Sequence, residues 1–342
     1  MPVVRTLYIA FGLLLTAVGA RAQDVYFSQP YATRLHLNPA FTGLLDDYSA
    51  TFSYRNQFPQ LAGSFNTFQA AGDLRPDRRG QHHAFGLLIN QDRSGELGYT
   101  RLELGGLYAY HTRLTPQIAF SGGLRATYGR QRVAYGNFLF GDQISSTGLV
   151  TGPSREAADF LPTNYLTVGT GVVFYTEQAW LSLAGQNLNQ PDLAFQQQNR
   201  LPWLLSMAGG YKFFINKPGP GIETREISFT PVAGYTRQGG SQRTEVGAYF
   251  MADPVTLGAV FRNIGLGGDA VGGSQQVVAA IVGLSAGPLR VGYSYDIAAS
   301  TLSADLGGAH EVTLTLRSFD KLTNAQRRLK KRNYPIAPCP AF

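Results

Sequence analysis

Short segments in which apolar and polar side chains alternate constrain the fold of this 342-residue sequence more than any other feature. In one such segment the apolar residues share a face, namely Ile118, Phe120, Leu124 and Ala126. The opposite face carries the polar residues Gln117, Ser121, Arg125 and Thr127. Segments of about ten residues with this period, separated by turn residues, are typical of strands that face lipid on one side and a polar interior on the other.

The alternation recurs along the chain, for example in residues 48–55, 289–297 and 311–317. We predict fourteen strands, centred near residues 52, 69, 87, 106, 122, 170, 183, 208, 231, 248, 259, 280, 293 and 314. An even number of antiparallel strands closes without exposed edges, so the pattern predicts an all-β fold, a single transmembrane antiparallel β-barrel of about 14 strands. A soluble β-sandwich also alternates, and the alternation alone leaves that class open.

The first 22 residues have the organisation of a secretory signal peptide. A single early charge, Arg5, precedes an apolar stretch over residues 7–18, and Ala20 and Ala22 form an Ala-x-Ala cleavage site. The apolar stretch is shorter than the roughly 20 residues of a transmembrane helix, and no Cys follows the cleavage site to accept a lipid. We therefore predict export and a mature chain that begins at Gln23.

Composition argues against several other classes. After the signal peptide, no apolar run reaches the roughly 18 residues of a transmembrane helix. The single cysteine, Cys339, cannot form an intrachain disulfide. The formal net charge of +7 comes from scattered Arg residues without a basic-aromatic module, which argues against nucleic-acid binding.

Three features favour a membrane barrel over a soluble sandwich: the signal peptide, strands of about ten residues or more, and aromatic residues at strand ends. These aromatic residues are Tyr48, Tyr54, Tyr128, Tyr165, Tyr175, Trp180, Trp203 and Tyr211. The longest loops, 131–162 and 188–201, suit the outer side of such a barrel. The predicted organisation is a signal peptide (1–22), an N-terminal lead-in (23–45), the barrel (46–318) and a tail (319–342).

The mature N-terminal segment is not predicted to be a strand, because Pro30 and Pro39 would each remove a donor from a β-ladder. Its aromatic and hydrogen-bonding side chains suit contact with a barrel lumen or with a protein partner. The candidate partner-binding residues are Phe27, Ser28, Gln29, Asn38, Pro39 and Phe41. A purely structural plug is the alternative.

The motifs of this segment resemble those of the PorP/SprF family of the type IX secretion and gliding apparatus. The matching residues are Gln23, Asp24, Phe27, Ser28, Gln29, Asn38, Pro39, Ala40, Phe41 and Gly43. The end of the first strand, Tyr54 to Gln57, is also similar to the family, although Phe58 stands where the family carries Trp. Further similar segments are 108–111, 123–131, 140–143, 293–296, 310–312 and 339–342.

The resemblance implies a barrel in the outer membrane of a Gram-negative cell that takes part in type IX secretion or gliding. The partners it implies are outer-membrane lipid, periplasmic type IX secretion components and secreted proteins with C-terminal signal domains. The leading hypothesis is therefore a non-enzymatic barrel that docks protein partners and helps the export or surface attachment of secreted proteins. A diffusion channel or transporter is the first alternative, and a lipid-modifying barrel enzyme is the second.

Charged residues on the predicted inner face bear on the choice between docking and conduction. The predicted lumen-lining residues are Arg55, Arg125, Arg262, Arg290, Asp296, Glu311 and Arg317. The arginines either form the selectivity filter of a channel or neutralise the carboxylates of Asp296 and Glu311.

The tail is basic, and Asp320 is its only acid. It lies in the periplasm if the strand number is even and the N-terminus is periplasmic. The candidate residues for contact with a periplasmic partner are Arg327, Arg328, Lys330, Lys331 and Arg332. A solvated tail without a partner is the alternative.

No catalytic, metal or cofactor site is predicted. A Ser nucleophile needs a His within hydrogen-bond reach and a third group that orients the His. His310 and Glu311 are neighbours at a strand start, so their side chains face opposite sides. His82 and His83 are related in the same way, and no Cys or carboxylate spacing completes a tetrahedral metal site.

Overall fold

The computed structural model describes residues 26–61, 63–76, 82–95, 98–134, 141–144, 148, 154, 162–193, 200–216, 225–265, 274–298 and 306–318. The first strands of this part of the chain are β1 (Tyr48–Gln57), β2 (Phe65–Leu74), β3 (His83–Ser94), β4 (Tyr99–Arg113), β5 (Ala119–Arg132), β6 (Thr163–Tyr175), β7 (Ala179–Gln186) and β8 (Leu204–Tyr211). The remaining strands are β9 (Phe213–Asn216), β10 (Ile227–Gln238), β11 (Ser241–Ala252), β12 (Val255–Gly265), β13 (Ser274–Ala286), β14 (Leu289–Ala298) and β15 (Ala309–Arg317).

The strands form one closed antiparallel barrel. Successive strands are neighbours, and β15 returns to pair with β1, with Ser49 opposite Arg317 and Gln57 opposite Ala309. Both β8 and the short β9 pair with β10, so β9 continues the course of β8 beyond Lys212 and adds no position to the ring. The predicted barrel of fourteen antiparallel strands is confirmed, and each predicted centre falls within a strand.

Alternation in the sequence becomes alternation between lipid and lumen. On β3, Ala84 and Leu88 point inward and are 0% and 1% exposed, whereas Phe85 and Leu87 point outward and are 53% and 64% exposed. Inward positions on many strands carry Ser, Thr, Gln, Arg or carboxylate side chains. Among the described residues, no helix is long and apolar enough to cross a membrane.

The predicted set of strand-end aromatic residues divides into two groups. Five residues face outward, as membrane-interface aromatic residues do, namely Tyr48, Tyr54, Tyr128, Trp203 and Tyr211. The other three also stand at strand ends, but their positions on β6 and β7 point into the lumen. Tyr165, Tyr175 and Trp180 are 5%, 2% and 4% exposed.

We name the two ends of the barrel by the residues of β1 and β15 that lie there. The proximal end carries the first residue of β1, Tyr48, and the last residue of β15, Arg317; the distal end carries Gln57 and Ala309. Residues 26–45, the N-terminal plug, precede β1 and lie inside the barrel, where most of them are buried. The plug contains the helix α1 (Arg34–Leu37) and a 3-10 turn (Pro39–Phe41), and another 3-10 turn spans Gly141–Gln143.

Candidate functional site in the barrel lumen

Prolines and an amide cap shape the N-terminal plug. Asn38 has an extended backbone, and its side-chain oxygen accepts a hydrogen bond of 2.8 Å from the amide of Ala40. Pro39 follows at the first position of the 3-10 turn, where it loses no hydrogen bond. A chain with this shape cannot join a β-ladder, so its buried polar groups need partners on the barrel wall.

The start of the plug is held by Glu311 of β15. The backbone amides of Ser28 and Gln29 donate to the two carboxylate oxygens of Glu311, at 2.6 and 3.0 Å. Arg55 of β1, which lies directly opposite Glu311 in the ladder, approaches the same carboxylate at 3.3 Å. All four residues are at most 3% exposed, so these are charge-assisted interactions without competing water.

A second carboxylate, Asp296 of β14, is the centre of the same group. It accepts hydrogen bonds from the hydroxyl of Ser28 at 2.6 Å and from the Arg55 guanidinium at 2.8 Å. Arg262 of β12 contacts Asp296 at 3.2 Å and also donates to the Ser28 carbonyl oxygen at 3.1 Å. One residue of the plug therefore contacts side chains of four strands, β1, β12, β14 and β15.

Two further residues of β11 complete this ionic cluster. Glu245 pairs with Arg262 at 2.8 Å and with Arg243 at 3.2 Å. Three cations and three anions are thus brought together among the described residues, namely Arg55, Arg243, Arg262, Glu245, Asp296 and Glu311. The Tyr26 ring lies among the three guanidiniums, whose central carbons are 4.8, 4.9 and 5.5 Å from its centroid. Pairing of this kind offsets the cost of burying the charges.

Gln29 occupies a fitted position beside the ionic cluster. Its side-chain oxygen accepts from Thr313 at 2.7 Å, and its side-chain nitrogen donates to Ser294 at 3.3 Å. The wall residue behind it is Gly292, where a Cβ atom would lie 2.2 Å from the Gln29 oxygen. Only glycine leaves room for this side chain.

At the proximal end the plug is held by Asp73 of β2. Arg34 donates to Ser49 at 2.7 Å and to Asp73 at 3.1 Å, and Ser49 also hydrogen-bonds Asp73. The amide of Gly43, which has a φ of +63°, donates to the same carboxylate at 2.6 Å. Asp73 therefore neutralises an arginine of α1 and fixes the end of the plug with one side chain.

The turn at Asn38 fits closely against β5, β6 and β7. The Asn38 amide donates to the carbonyl oxygens of Val172 and Leu183 at 3.1 and 3.0 Å. A Cβ atom on Gly171 would lie 2.0 Å from the Asn38 side-chain oxygen, and one on Gly123 would lie 2.3 Å from the Ala40 nitrogen. The glycines allow the plug backbone to approach the wall.

Aromatic contacts fill the space between these polar anchors. Tyr31 makes edge-on contacts with Trp180 and Tyr249, each with ring centroids 5.4 Å apart, and Phe41 contacts Trp180 at 6.0 Å. These rings belong to a buried apolar cluster that also includes Leu44 and Val260. The inward-facing aromatic residues Tyr175 and Trp180 form part of the wall against which the plug packs.

Little space remains beside the plug in the described part of the lumen. The cavity next to Tyr26, Arg243 and Glu245 has a volume of about 70 Å³. A second cavity, beside His36 and Arg101, has a volume of about 20 Å³. Such volumes hold a few water molecules at most.

The structure brings some of the candidate residues from the sequence analysis together and places others elsewhere. The six candidate residues on the plug are buried inside the barrel, and among the lumen candidates Arg55, Arg262, Asp296 and Glu311 meet in the ionic cluster. The other three predicted arginines are placed elsewhere: Arg125 donates to Thr127 at 3.0 Å, Arg317 approaches Asp46 at 3.5 Å, and Arg290 is half-buried as the second residue of β14. The five basic tail residues lie outside the described residues. The proposed binding of a protein partner by the plug stays a prediction.

Sequence reasoning did not single out Arg34, Asp73, Arg243 or Glu245. Each is a charged residue at an inward position of a strand or in the plug, so alternation was an available signal for the three on strands. Asp73 was hidden because it follows the small residues Ala70, Ala71 and Gly72 in β2, where the two faces of the strand show weak contrast.

No arrangement for catalysis is found among the described residues. Residues 283–287 have the spacing Gly-x-Ser-x-Gly, but Ser285 lies at the end of β13 before a turn into β14, not on a turn into a helix. His310 faces outward and contacts Tyr293 at 2.8 Å, whereas Glu311 faces inward. No group of three metal-ligating side chains occurs in this part of the chain.

The chain was compared with known proteins and structures. A comparison with curated proteins returns no match. Solved structures similar to it include the outer membrane protein Omp33 of Acinetobacter baumannii, at 8% identity and a TM-score of 0.43, covering 81% of this chain and 100% of that chain. The toluene transporter TbuX of Ralstonia pickettii is 10% identical with a TM-score of 0.43, covering 84% of this chain and 93% of that one. CdiB from Acinetobacter baumannii is 10% identical with a TM-score of 0.43, covering 80% and 60%.

A comparison with protein families matches residues 20–316 to the family described as type IX secretion system membrane protein PorP/SprF. This range includes the plug and nearly all of the barrel. The chain therefore belongs to the PorP/SprF family and is an outer-membrane β-barrel of the type IX secretion system.

Proposed function

We propose that this protein is a closed, non-enzymatic barrel of the type IX secretion or gliding machinery of a Gram-negative cell, which docks protein partners instead of conducting solutes. Its proposed partners are periplasmic secretion components, through the basic tail, and secreted proteins with C-terminal signal domains. Through these contacts it helps the export or surface attachment of the secreted proteins.

The observation that carries the proposal is the state of the lumen. The plug contacts side chains of β1, β12, β14 and β15 at its start, and contacts β2, β5, β6 and β7 further on. A diffusion channel needs a continuous wet path, whereas four of the seven charged residues expected to line a filter are paired with one another and with the plug, namely Arg55, Arg262, Asp296 and Glu311. A lumen filled by the protein's own chain leaves the surfaces at the two ends for contact with partners.

Planar bilayer recordings test the closed state. Full-length protein should insert without steady ion conductance, whereas a variant lacking residues 26–45 should conduct, because removal of the plug leaves a polar interior of a fourteen-stranded barrel. Steady conductance of the full-length protein at the level of the deletion variant would favour the channel alternative. Circular dichroism of both preparations controls for loss of strand structure.

Co-purification from native membranes tests the docking role. Replacement of Arg327, Arg328, Lys330, Lys331 and Arg332 by Gln should reduce recovery of a periplasmic secretion component, since the attraction between charges falls when the basic groups are removed. The matched control replaces Arg130 and Arg132, exposed basic residues at the distal end of β5. Equal recovery in the tail variant and the wild type, at equal barrel levels, would leave the solvated-tail alternative.

A further inference from the structure

The strand β6 extends beyond its neighbour β7 at the distal end of the barrel. The whole of β6, Thr163–Tyr175, is paired with β5, but its ladder with β7 begins only at Thr170. The chain leaves β7 after Gln186, because the next residue, Asn187, has a φ of +58°, a left-handed conformation that turns the backbone out of the strand. In the part of the chain that the structure describes, residues 163–169 have a strand partner on the β5 side only, and we call their other side the β6 edge.

The side chain of Asn189 imitates a strand on the β6 edge. Its nitrogen donates to the carbonyl oxygen of Leu166 at 2.7 Å, and its oxygen accepts from the amide of Val168 at 3.1 Å. The backbone amide of Leu188 donates to the carbonyl oxygen of Val168 at 3.0 Å. A residue in an antiparallel ladder directs its N–H and C=O to the same neighbouring strand, so Leu166 and Val168 direct theirs away from β5. Asn189 uses the carbonyl of Leu166 but not its N–H.

The β6 edge begins at the boundary of the membrane. In the β5–β6 register Leu166 lies opposite Tyr128, an outward-facing aromatic residue of the kind found at membrane interfaces. Asn164 lies opposite Arg130, which also faces outward and is exposed. An outward-facing charge is costly in the hydrocarbon region, so the level of Asn164 and Arg130 is in the headgroup layer or in water. A polypeptide in water can therefore reach the edge.

We propose that the β6 edge is a docking site for an extended segment of a secreted polypeptide, which adds to β6 as a further strand when the Asn189 side chain moves aside. This rests on the proposed docking function and on a distal end that faces the outside of the cell. The two longest connections between strands, residues 133–162 and 187–203, are both at the distal end, as the outer loops of such barrels are. Addition of a strand to a sheet edge takes its affinity from main-chain hydrogen bonds.

The groups on the edge favour a polypeptide over a lipid. An acyl chain offers neither donors nor acceptors to backbone groups, whereas the carboxamide that occupies the edge has the donor and acceptor of a peptide group. The side chains of β6 alternate at this level: Tyr165 and Thr167 point inward and are 5% and 2% exposed, whereas Leu166 and Val168 point outward. A strand added here must alternate in the same way, with apolar side chains towards lipid and polar ones towards the lumen.

Asn189 can make way without disturbing the plug. It is exposed, and the two hydrogen bonds of its carboxamide go to the β6 backbone. The plug contact nearby is made by Gln186, which donates to the carbonyl oxygen of His36 at 3.0 Å. An incoming strand replaces the two bonds of Asn189 with bonds from its own backbone, so the asparagine competes with the ligand. Removal of the carboxamide should therefore strengthen binding, which loss of a purely structural residue would not do.

Fluorescence anisotropy with the full-length protein in detergent tests the competition. The probe is a labelled synthetic peptide that alternates valine and serine, with a lysine at each end for solubility. Its Kd should be at least tenfold lower for Asn189→Ala than for the wild type. The matched control is Asn216→Ala, which removes a side-chain hydrogen bond to the carbonyl oxygen of Arg225 at the proximal end and should leave the Kd unchanged. Equal Kd values for Asn189→Ala and the wild type would overturn the proposal.

A second pair of variants tests the edge itself. In the Asn189→Ala background, Leu166→Pro removes the N–H that faces the edge and keeps the bonds to β5, which come from alternate residues. The Kd should rise at least tenfold, whereas Leu166→Ala, which keeps the N–H, should stay within threefold. Equal binding by the two variants would overturn strand addition.

A fully N-methylated peptide with the same side chains gives the same answer without altering the protein. It cannot donate main-chain hydrogen bonds, so it should not bind Asn189→Ala. Binding equal to that of the unmethylated peptide would overturn the proposal, even if the proline variant does not fold.

The remaining outcomes concern the occupant and the proposed function. If Asn189→Ala forms dimers in the absence of peptide, the occupant is a second copy of this chain, and the assignment to a secreted polypeptide is overturned. If no variant binds the peptide while the tail variant still loses its periplasmic partner, the β6 edge is overturned and the docking function stands. Peptide binding with the expected order of Kd values, together with unchanged partner recovery in the tail variant, would support the edge and overturn docking through the tail.

Discussion

Glu311→Gln is the most direct perturbation of the plug. The substitution keeps the size of the side chain and removes the charge that receives the amides of Ser28 and Gln29, at 2.6 and 3.0 Å. It also takes one of two carboxylates from Arg55, which is 3% exposed. A neutral amide offers one oxygen where the carboxylate offers two, so one backbone donor loses its acceptor.

The expected change in the free energy of plug release follows from these lost interactions. Removing one partner of a buried ion pair costs about 3–5 kcal/mol, and the lower end applies because Asp296 still contacts Arg55 at 2.8 Å. The equilibrium between seated and released plug should therefore shift by about 3 kcal/mol, which is roughly a hundredfold.

Hydrogen exchange measured by mass spectrometry reads this shift directly. Peptides that contain Ser28 and Gln29 should exchange about a hundred times faster in Glu311→Gln than in the wild type, because exchange of their amides requires release from the carboxylate. Peptides from β4 and β5, which are remote from Glu311, should keep their protection.

The matched control is Glu103→Gln. Glu103 is also buried, and it pairs with Arg101 and accepts a hydrogen bond from Tyr165, which are both residues of the barrel wall. Unchanged exchange at Ser28 and Gln29 in Glu311→Gln, or an equal increase in Glu103→Gln, would refute the assignment of the plug's stability to the ionic cluster.

Three further expectations are independent of the ionic cluster. Gly171→Ala should loosen the plug at Asn38 and increase proteolysis of the N-terminal segment, because the new Cβ would lie 2.0 Å from the Asn38 oxygen; the matched control is Gly106→Ala, where nothing lies within 4 Å. The mature protein should begin at Gln23, and an intact mass that starts at Met1 would contradict the signal-peptide prediction. The purified barrel should migrate differently on gels before and after boiling, since a closed barrel has no edge strand at which unfolding by detergent can begin.

The barrel was predictable because its signal is local. A strand with one face in lipid and the other in the lumen must alternate, and β1, β5, β14 and β15 do so residue by residue. The break at Lys212, which separates β9 from β8, was not predictable from the alternation. The outward-facing apolar residues of β8 continue in β9 with the same period.

The inside of the barrel was only partly predictable. Alternation places Arg55 and Asp296 on the inner face, but their pairing depends on the β1–β15 and β14–β15 registers, which bring together residues 241 positions apart. The aromatic residues show the same limit. Tyr175 and Trp180 stand at strand ends like interface aromatics, and only the plug, which fills the lumen beside them, makes an inward position favourable.

The hydrogen bond between Ser28 and Glu311 joins residues 283 positions apart. This separation determines when, during assembly of the barrel, the plug can dock. The part of the chain that is synthesised and exported first obtains its partners only when the last strand is available. Until then Phe27, Tyr31 and Phe41 have no lumen to enter, and they remain open to aggregation throughout transit across the periplasm. Demand for protection by chaperones should therefore be concentrated at the start of the exported chain, far from the strands that take up most of its length.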